Sequence, residues 1–188
     1  MIRYNPEFVS YIMKILVTGG AGFIGKYLVK SLLENNNTVT IFDNFSNSTK
    51  KSVEHLIKKG AKITEGDIIK SQDILDATKN QDIVIHLAAK ISVIESIKNP
   101  LETFEVNVDG TINVITACKK NNVKKIIISS SAAVYGEGIQ NIKIVENEKL
   151  KPISPYGESK VKMEQQIKRF MKNKNIKCVI LRFFNIYG

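Results

Sequence analysis

Tyr156 and Lys160, four residues apart in "SPYGESK" (154–160), are a pair whose types and spacing could do chemistry. Ser154 and Pro155 read as the N-cap and first residue of a helix. Along it Tyr156, Lys160, Met163, Ile167 and Phe170 recur at three- and four-residue steps, forming one stripe. A lysine on the stripe that a helix buries either snorkels to water or has a polar partner. A phenol with an ordinary pKa of ~10 is a poor base at neutral pH, and a nearby cation lowers that value. Beside Lys160, Tyr156 could take a hydroxyl proton while a hydride leaves the same carbon for an oxidised cofactor, with a serine hydroxyl holding the reacting oxygen.

The cofactor has its own signal in "ILVTGGAGFIG" (15–25). Gly20, Gly22 and Gly25 give G-x-G-x-x-G, and Gly19, Gly22 and Gly25 give G-x-x-G-x-x-G. Alone, either spacing also fits a plain turn. Here the glycines follow a strand-like run and open a helix with Ile24, Leu28 and Leu32 at helical spacing, which suits a pyrophosphate at a helix N-terminus. Asp43 closes the next strand-like run, where a carboxylate can accept from an adenosine ribose and would repel a 2′-phosphate. NAD is therefore expected rather than NADP. The competing reading is that Asp43 caps the turn "DNFSNS".

The elements that must carry these residues alternate along the chain. Strand-like runs fall at 14–19, 38–43, 61–67, 82–88, 124–130 and 177–183, with helix-like stretches near 22–35, 48–59, 71–79, 100–121 and 155–174. Continuous apolar strands between helices predict an α/β fold, a doubly wound parallel sheet of the Rossmann kind. In such sheets ligands bind beyond the carboxyl ends of the strands. The fourth run ends in "HLAAK" (86–90), where Ala88 and Ala89 leave room for a flat ligand. The fifth ends in "SSSAAVYG" (129–136), with Ser129 and Ser131 on one face. Those serines serve either loop backbone groups or a reacting oxygen.

A chain of 188 residues suits one domain with a full core. Residues 13–188 are expected to form an NAD-binding domain, and residues 1–12 an N-terminal extension, unless Met13 is the true start. No apolar run approaches ~18 residues and the first twelve lack a signal-peptide core, so a cytoplasmic protein without membrane contact is expected. Two cysteines and two histidines show no disulfide or zinc spacing, and no metal is expected. The net charge of +10 rests on scattered lysines with only three arginines, Arg3, Arg169 and Arg182, so a solvated surface is expected rather than a nucleic-acid site.

"TGGAGFIG", "DNFSNS", "GDI", "HLAAK", "NVDGT", "SSSAAVYG", "YGESK" and "RFFNIYG" stand in the order and spacing of a known family. Over residues 13–188 the chain resembles the extended short-chain dehydrogenase/reductases, most closely their nucleotide-sugar epimerases and dehydratases. The resemblance implies Tyr156 as catalytic base, Lys160 as its partner and Ser131 as the third catalytic hydroxyl. It implies cofactor contacts at Gly19, Gly22, Phe23, Ile24, Gly25, Asp43, Asn44, Asp67, Ile68, Leu87, Ala88, Ala89, Tyr156, Lys160 and Phe184, with Asp67 and Ile68 flanking the adenine. Ser131 and Asn185 would meet a nucleotide-sugar, a UDP-sugar by the epimerase likeness, and Asn107 would be structural. A homodimer is also implied. Two departures qualify the match. The 4-epimerase branch carries a lysine where Ile91 stands, with Lys90 one residue early, and Gly188 follows the sixth run directly, as in the cofactor portion of a longer enzyme. Dehydratases carry an acidic pair where Ala132 and Ala133 stand, so epimerisation through a transient keto-sugar is favoured. The alternatives are a dehydratase or a non-catalytic NAD-binding module.

Overall fold

Apolar runs rich in isoleucine and valine hydrogen-bond into one six-stranded sheet, in a computed structural model that describes residues 12–137, 143–171 and 176–187. The strands are β1 (Lys14–Thr18), β2 (Thr38–Asp43), β3 (Lys62–Glu65), β4 (Ile83–His86), β5 (Lys125–Ser131) and β6 (Lys177–Phe183). All pairings are parallel, in the order β3-β2-β1-β4-β5-β6. The order reverses between β1 and β4, which creates a switch point beyond their carboxyl ends. Successive strand residues enter opposite faces. Leu16, Phe42, Val84, Ile126 and Ile128 join one core, and Ile15, Val17, Val39, Ile41 and Ile85 join the other. Double-sided burial is why these strands read as continuous apolar runs rather than alternating ones.

The helices are α1 (Phe23–Glu34), α2 (Glu54–Ile57), α3 (Ser71–Ala77), α4 (Val93–Lys98), α5 (Pro100–Phe104), α6 (Thr111–Lys120) and α7 (Pro155–Met171). Val29 of α1 and Leu56 of α2 close one core; Ile74 of α3, Val114 of α6 and Met163 of α7 close the other. Several boundaries depart from the sequence expectation. The stretch 48–59 is only a 3₁₀ turn, Lys50–Val53, running into the short α2. The stretch 100–121 is interrupted by a π-helical turn, Glu105–Gly110, between α5 and α6. Helix α4 was not expected, because its Ile94 and Ile97 stay exposed and give no buried stripe. The third and fourth strands stop at Glu65 and His86, leaving Asp67 and Leu87–Ala89 in loops. Residues 1–11 of the expected extension, the last residues of the expected 155–174 helix and Gly188 lie outside the described residues. Among the described residues no helix is long and apolar enough to cross a membrane.

Candidate active site

The chain leaves β1 through Gly19, whose φ of +68° is left-handed and where a Cβ would stand 2.7 Å from the Ala88 nitrogen. The glycine thus lets β1 and the loop after β4 close on each other at the switch point. Gly25 is as tightly held, since a Cβ there would overlap the Gly19 carbonyl oxygen. Gly22 differs. A Cβ there would meet one atom within 4 Å, Gly19 O at 3.2 Å, and otherwise enter open space. Gly22 is the N-cap of α1 and no side chain caps this end. The first turn, with Phe23 and Ile24, therefore presents N–H groups and the positive dipole end beside a space that any side chain at 22 would fill. This is a fit for a pyrophosphate.

Asp43 caps the turn, as one of its two readings had it, and holds a second main-chain amide besides. Its Oδ1 accepts from Phe45 N at 2.9 Å and from the Ser48 hydroxyl at 3.3 Å, which is the turn cap. Its Oδ2 accepts from Ala21 N at 3.0 Å, which ties the end of β2 to the glycine turn. Asn44 donates to Asp67 Oδ2 at 3.0 Å, so three of the expected adenosine-side residues form one polar rim. Ile68 does not share it. Its side chain is buried in the core against Gly110, where it can offer a ligand only its main chain.

Between these strands lies a buried hydrogen-bond relay that the sequence did not reveal. Thr111 donates to the Asn107 carbonyl at 2.7 Å, so its oxygen accepts from His86 Nε2–H at 3.0 Å. His86 Nδ1 then accepts from the Thr18 hydroxyl at 2.7 Å, and Thr18 Oγ1 accepts from Ala88 N at 3.3 Å. The polarity of the chain fixes the neutral Nε2–H tautomer. Burial, reinforced by the Lys160 ammonium, holds His86 down at about 3. Asn107, on the π-helical turn, clamps Lys90 through both main-chain groups (2.9 and 3.0 Å) and donates to Ser159 on α7 at 2.9 Å. Its implied structural role has this content. The clamp sets the register in which Ile91 stands exposed, while Lys90 reaches Glu102 at 2.6 Å.

Ser154 caps α7 by accepting from Gly157 N at 3.1 Å, and Tyr156 N donates to the buried Ser96 of α4 at 3.1 Å. Gly157 lets the helix come close to the 3₁₀ turn Ala132–Tyr135, because a Cβ there would stand 2.7 Å from Ala133 O. That turn is capped by Ser131, whose oxygen accepts from Ala133 N at 3.1 Å. Tyr156 and Ser131 are thereby held on adjoining elements. Lys160 is 3% exposed, so it does not snorkel; its ammonium donates to Ser129 O at 3.2 Å and lies 5.9 Å from the Tyr156 ring centre. Burial pulls Lys160 down to about 8, against the opposing pull of Glu164. Phe184 and Asn185 follow the Ser131–Phe183 register at the same end of the sheet and are exposed.

This strand order with a glycine turn at its switch point is the Rossmann arrangement, and the serine on β5 with the tyrosine and lysine on α7 places it among the short-chain dehydrogenase/reductases. The chain belongs to the NAD dependent epimerase/dehydratase family, whose model matches residues 15–188. A putative UDP-glucose 4-epimerase of Methanocaldococcus jannaschii is 41% identical over 177 residues, covering 93% of this chain and 56% of that protein. Among solved structures, the UDP-glucose 4-epimerase of Thermus thermophilus in complex with NAD superposes with a TM-score of 0.87 at 34% identity, covering 94% of this chain and 56% of that one. The UDP-N-acetylglucosamine 4-epimerase of Methanobrevibacter ruminantium, in complex with UDP-N-acetylmuramic acid, gives 0.86 at 38% identity, with the same coverage. The chain spans about half the length of the curated relatives it matches.

Proposed function

We propose that this chain carries the NAD site and the catalytic residues of a nucleotide-sugar epimerase resembling the UDP-glucose 4-epimerases. The observation that carries the reading is the buried Lys160 ammonium, pinned on β5 beside Tyr156 rather than released to water. The uncapped α1 terminus at Gly22 accepts the pyrophosphate, Asp43 faces the adenosine ribose, and the relatives solved with NAD and with a UDP-sugar support both ligands. When bound, NAD supplies a hydride acceptor that later returns the hydride. Lys160 stabilises the phenolate form of Tyr156, which takes the proton from a sugar hydroxyl as the carbon is oxidised to a ketone and so becomes the neutral phenol. Ser131 has accepted its one main-chain bond and can donate its hydroxyl proton to the reacting oxygen. A sugar carbon oxidised in this way and re-reduced on its other face would be inverted, with Tyr156 giving back the proton it took. Ala132 and Ala133 in the turn after Ser131 bring no carboxylate to assist loss of water, which supports epimerisation over dehydration.

The remaining cofactor contacts follow the same rim: Gly19, Phe23, Ile24, Gly25, Asn44 and Asp67 on the adenosine side, and Leu87, Ala88, Ala89 and Phe184 toward the reactive ring. Asn185 is assigned to the substrate diphosphate. The partner is a second copy of the chain, supported by the exposed Ile94, Ile97 and Leu101 of α4 and α5. Calorimetric titration with NAD, paired with turnover of UDP-glucose, tests the reading. Tyr156→Phe is expected to keep NAD affinity and to lower hydride transfer by ~100- to 10,000-fold. Retention of most activity would place the base elsewhere. NAD binding with no turnover of any UDP-sugar, even in a version extended to the length of its relatives, would instead favour a non-catalytic NAD-binding module.

A further inference from the structure

Behind the Tyr156–Lys160 pair, one helical turn further along α7, lies a second charged group that the proposed reaction does not use. Glu164 is 2% exposed, yet its carboxylate is fully engaged. Oε1 accepts from the Ser130 hydroxyl at 2.7 Å and from Arg182 Nε at 2.9 Å, and Oε2 accepts from the second Arg182 nitrogen at 2.7 Å. Arg182 in turn donates to the Tyr135 hydroxyl at 2.7 Å and to Glu146 O at 2.8 Å, with its guanidinium 5.0 Å from the centre of the Tyr135 ring. A buried ion pair is weak as a source of stability, because desolvation offsets the attraction; its attested use is to fix register. The register fixed here is specific. Ser129 is bound through its carbonyl by Lys160, and Ser130 through its hydroxyl by Glu164, so two consecutive residues of β5 are held by two residues of α7 a turn apart. Ser131 is the next residue of β5, Arg182 lies on β6 three positions before Asn185, and Tyr135 closes the turn that Ser131 caps.

We propose that Glu164, clamped by Arg182 and Ser130, is the positioning residue for the Ser131–Tyr156–Lys160 set, fixing α7 on β5 and supplying the counter-charge for the Lys160 ammonium. The assignment rests on the proposed function for the role of the set, and on the geometry alone for the clamp. The charged and titratable groups facing Lys160 are Tyr156 and Glu164 on its own helix and the neutral His86 from β4; Arg182 from β6 and Lys168 on α7 act on it through Glu164. Burial works against the Glu164 charge, but the Arg182 and Ser130 hydrogen bonds outweigh it, so the carboxyl stays below its ordinary range. At neutral pH the counter-charge is present, and it opposes the burial that lowers Lys160.

The test is the pH midpoint of the Lys160 ammonium, followed by NMR in the chain labelled with lysine-15N and assigned with Lys160→Arg. In the unaltered chain the midpoint is expected at about 8. Glu164→Gln, which keeps shape and the Ser130 bond but removes the charge, is expected to lower it. Glu164→Asp, which keeps the charge but shortens the reach, is expected to leave it nearer 8. A purely structural role predicts the reverse order of damage. If Glu164→Gln does not fold, Glu164→Gln/Arg182→Gln removes both charges and its midpoint is expected to fall likewise. An unchanged midpoint in the folded Gln variant overturns the proposal. NAD titration of the unaltered chain separates the two ideas: absence of binding overturns the proposed function and leaves the midpoint comparison to decide the clamp.

Discussion

Two buried or half-buried side chains at the carboxyl ends of the strands, His86 and Asp43, each have a measurable consequence. His86 is held neutral at about 3 by burial and the Lys160 ammonium, whereas in the unfolded chain it titrates near its ordinary 6.5. Between those values the unfolded state binds one more proton than the folded state. The His86 contribution to stability is therefore full above pH 6.5 and is lost as the pH falls toward 3, at ~1.4 kcal/mol per unit. Denaturant unfolding at pH 4 and 6.5 should show that slope, and His86→Gln should remove it. Asp43 holds both main-chain amides and the proposed ribose site, so Asp43→Ala disturbs the glycine turn as well as the cofactor. The informative quantity is the preference for NAD over NADP, which a loosened turn would not alter. We expect NAD affinity to fall ~10- to 100-fold, as for loss of charge-assisted hydrogen bonds, and NADP to become comparable. An unchanged preference would remove Asp43 from the ribose site.

At the scale of elements, α7 is the part whose placement matters most. It is docked from three sides: Ser96 of α4 accepts Tyr156 N, Asn107 of the π-helical turn binds Ser159, and Gly157 abuts the turn after β5. Gly157→Ala would put a methyl 2.7 Å from Ala133 O and 3.0 Å from Pro152 Cβ, both in packed segments that give little. The expected cost is ~1–3 kcal/mol, as for other overpacked contacts. Urea unfolding with an unchanged m value and a lower midpoint checks it. The helix and its cap were legible in "SPYGESK", because Ser154, Pro155 and the apolar steps are local signals. The docking was not. Ser96 and Asn107 are ordinary polar residues until the sheet brings α4 and the π-helical turn against α7. Glu164 offered one clue, an acid four residues beyond Lys160 on the buried stripe, but its partner Arg182 arrives from another strand.

For the molecule as a whole, the proposed dimer makes the clearest prediction. Leu101 is 86% exposed and Ile94 and Ile97 are each more than 60% exposed on the neighbouring helix, an apolar ridge flanked by Glu95, Lys98 and Glu102. Light scattering with size exclusion should give twice the chain mass, and Leu101→Glu should give one chain mass without loss of fold. A monomeric unaltered chain would discard the dimer.

The Rossmann class, the six strands, the glycine turn and the Tyr156–Lys160 pair were determined by the sequence itself, because apolar period, capping residues and glycine spacing act within a few residues of chain. The two glycine spacings could not be told apart locally; Tyr156 with Lys160, and the resemblance they carry, select Gly19, Gly22 and Gly25, and in the fold packing demands Gly20 as well, where a Cβ would lie 2.9 Å from Val17 O. Only the tertiary structure decided that Lys160 is buried and pinned rather than snorkelling, that His86 is a neutral relay between β1, β4 and α6, and that Glu164 and Arg182 tie α7 to the last two strands. Those features depend on which residues distant in sequence share a face of the sheet, and on how deeply the resulting layers exclude water. Local patterns carry neither.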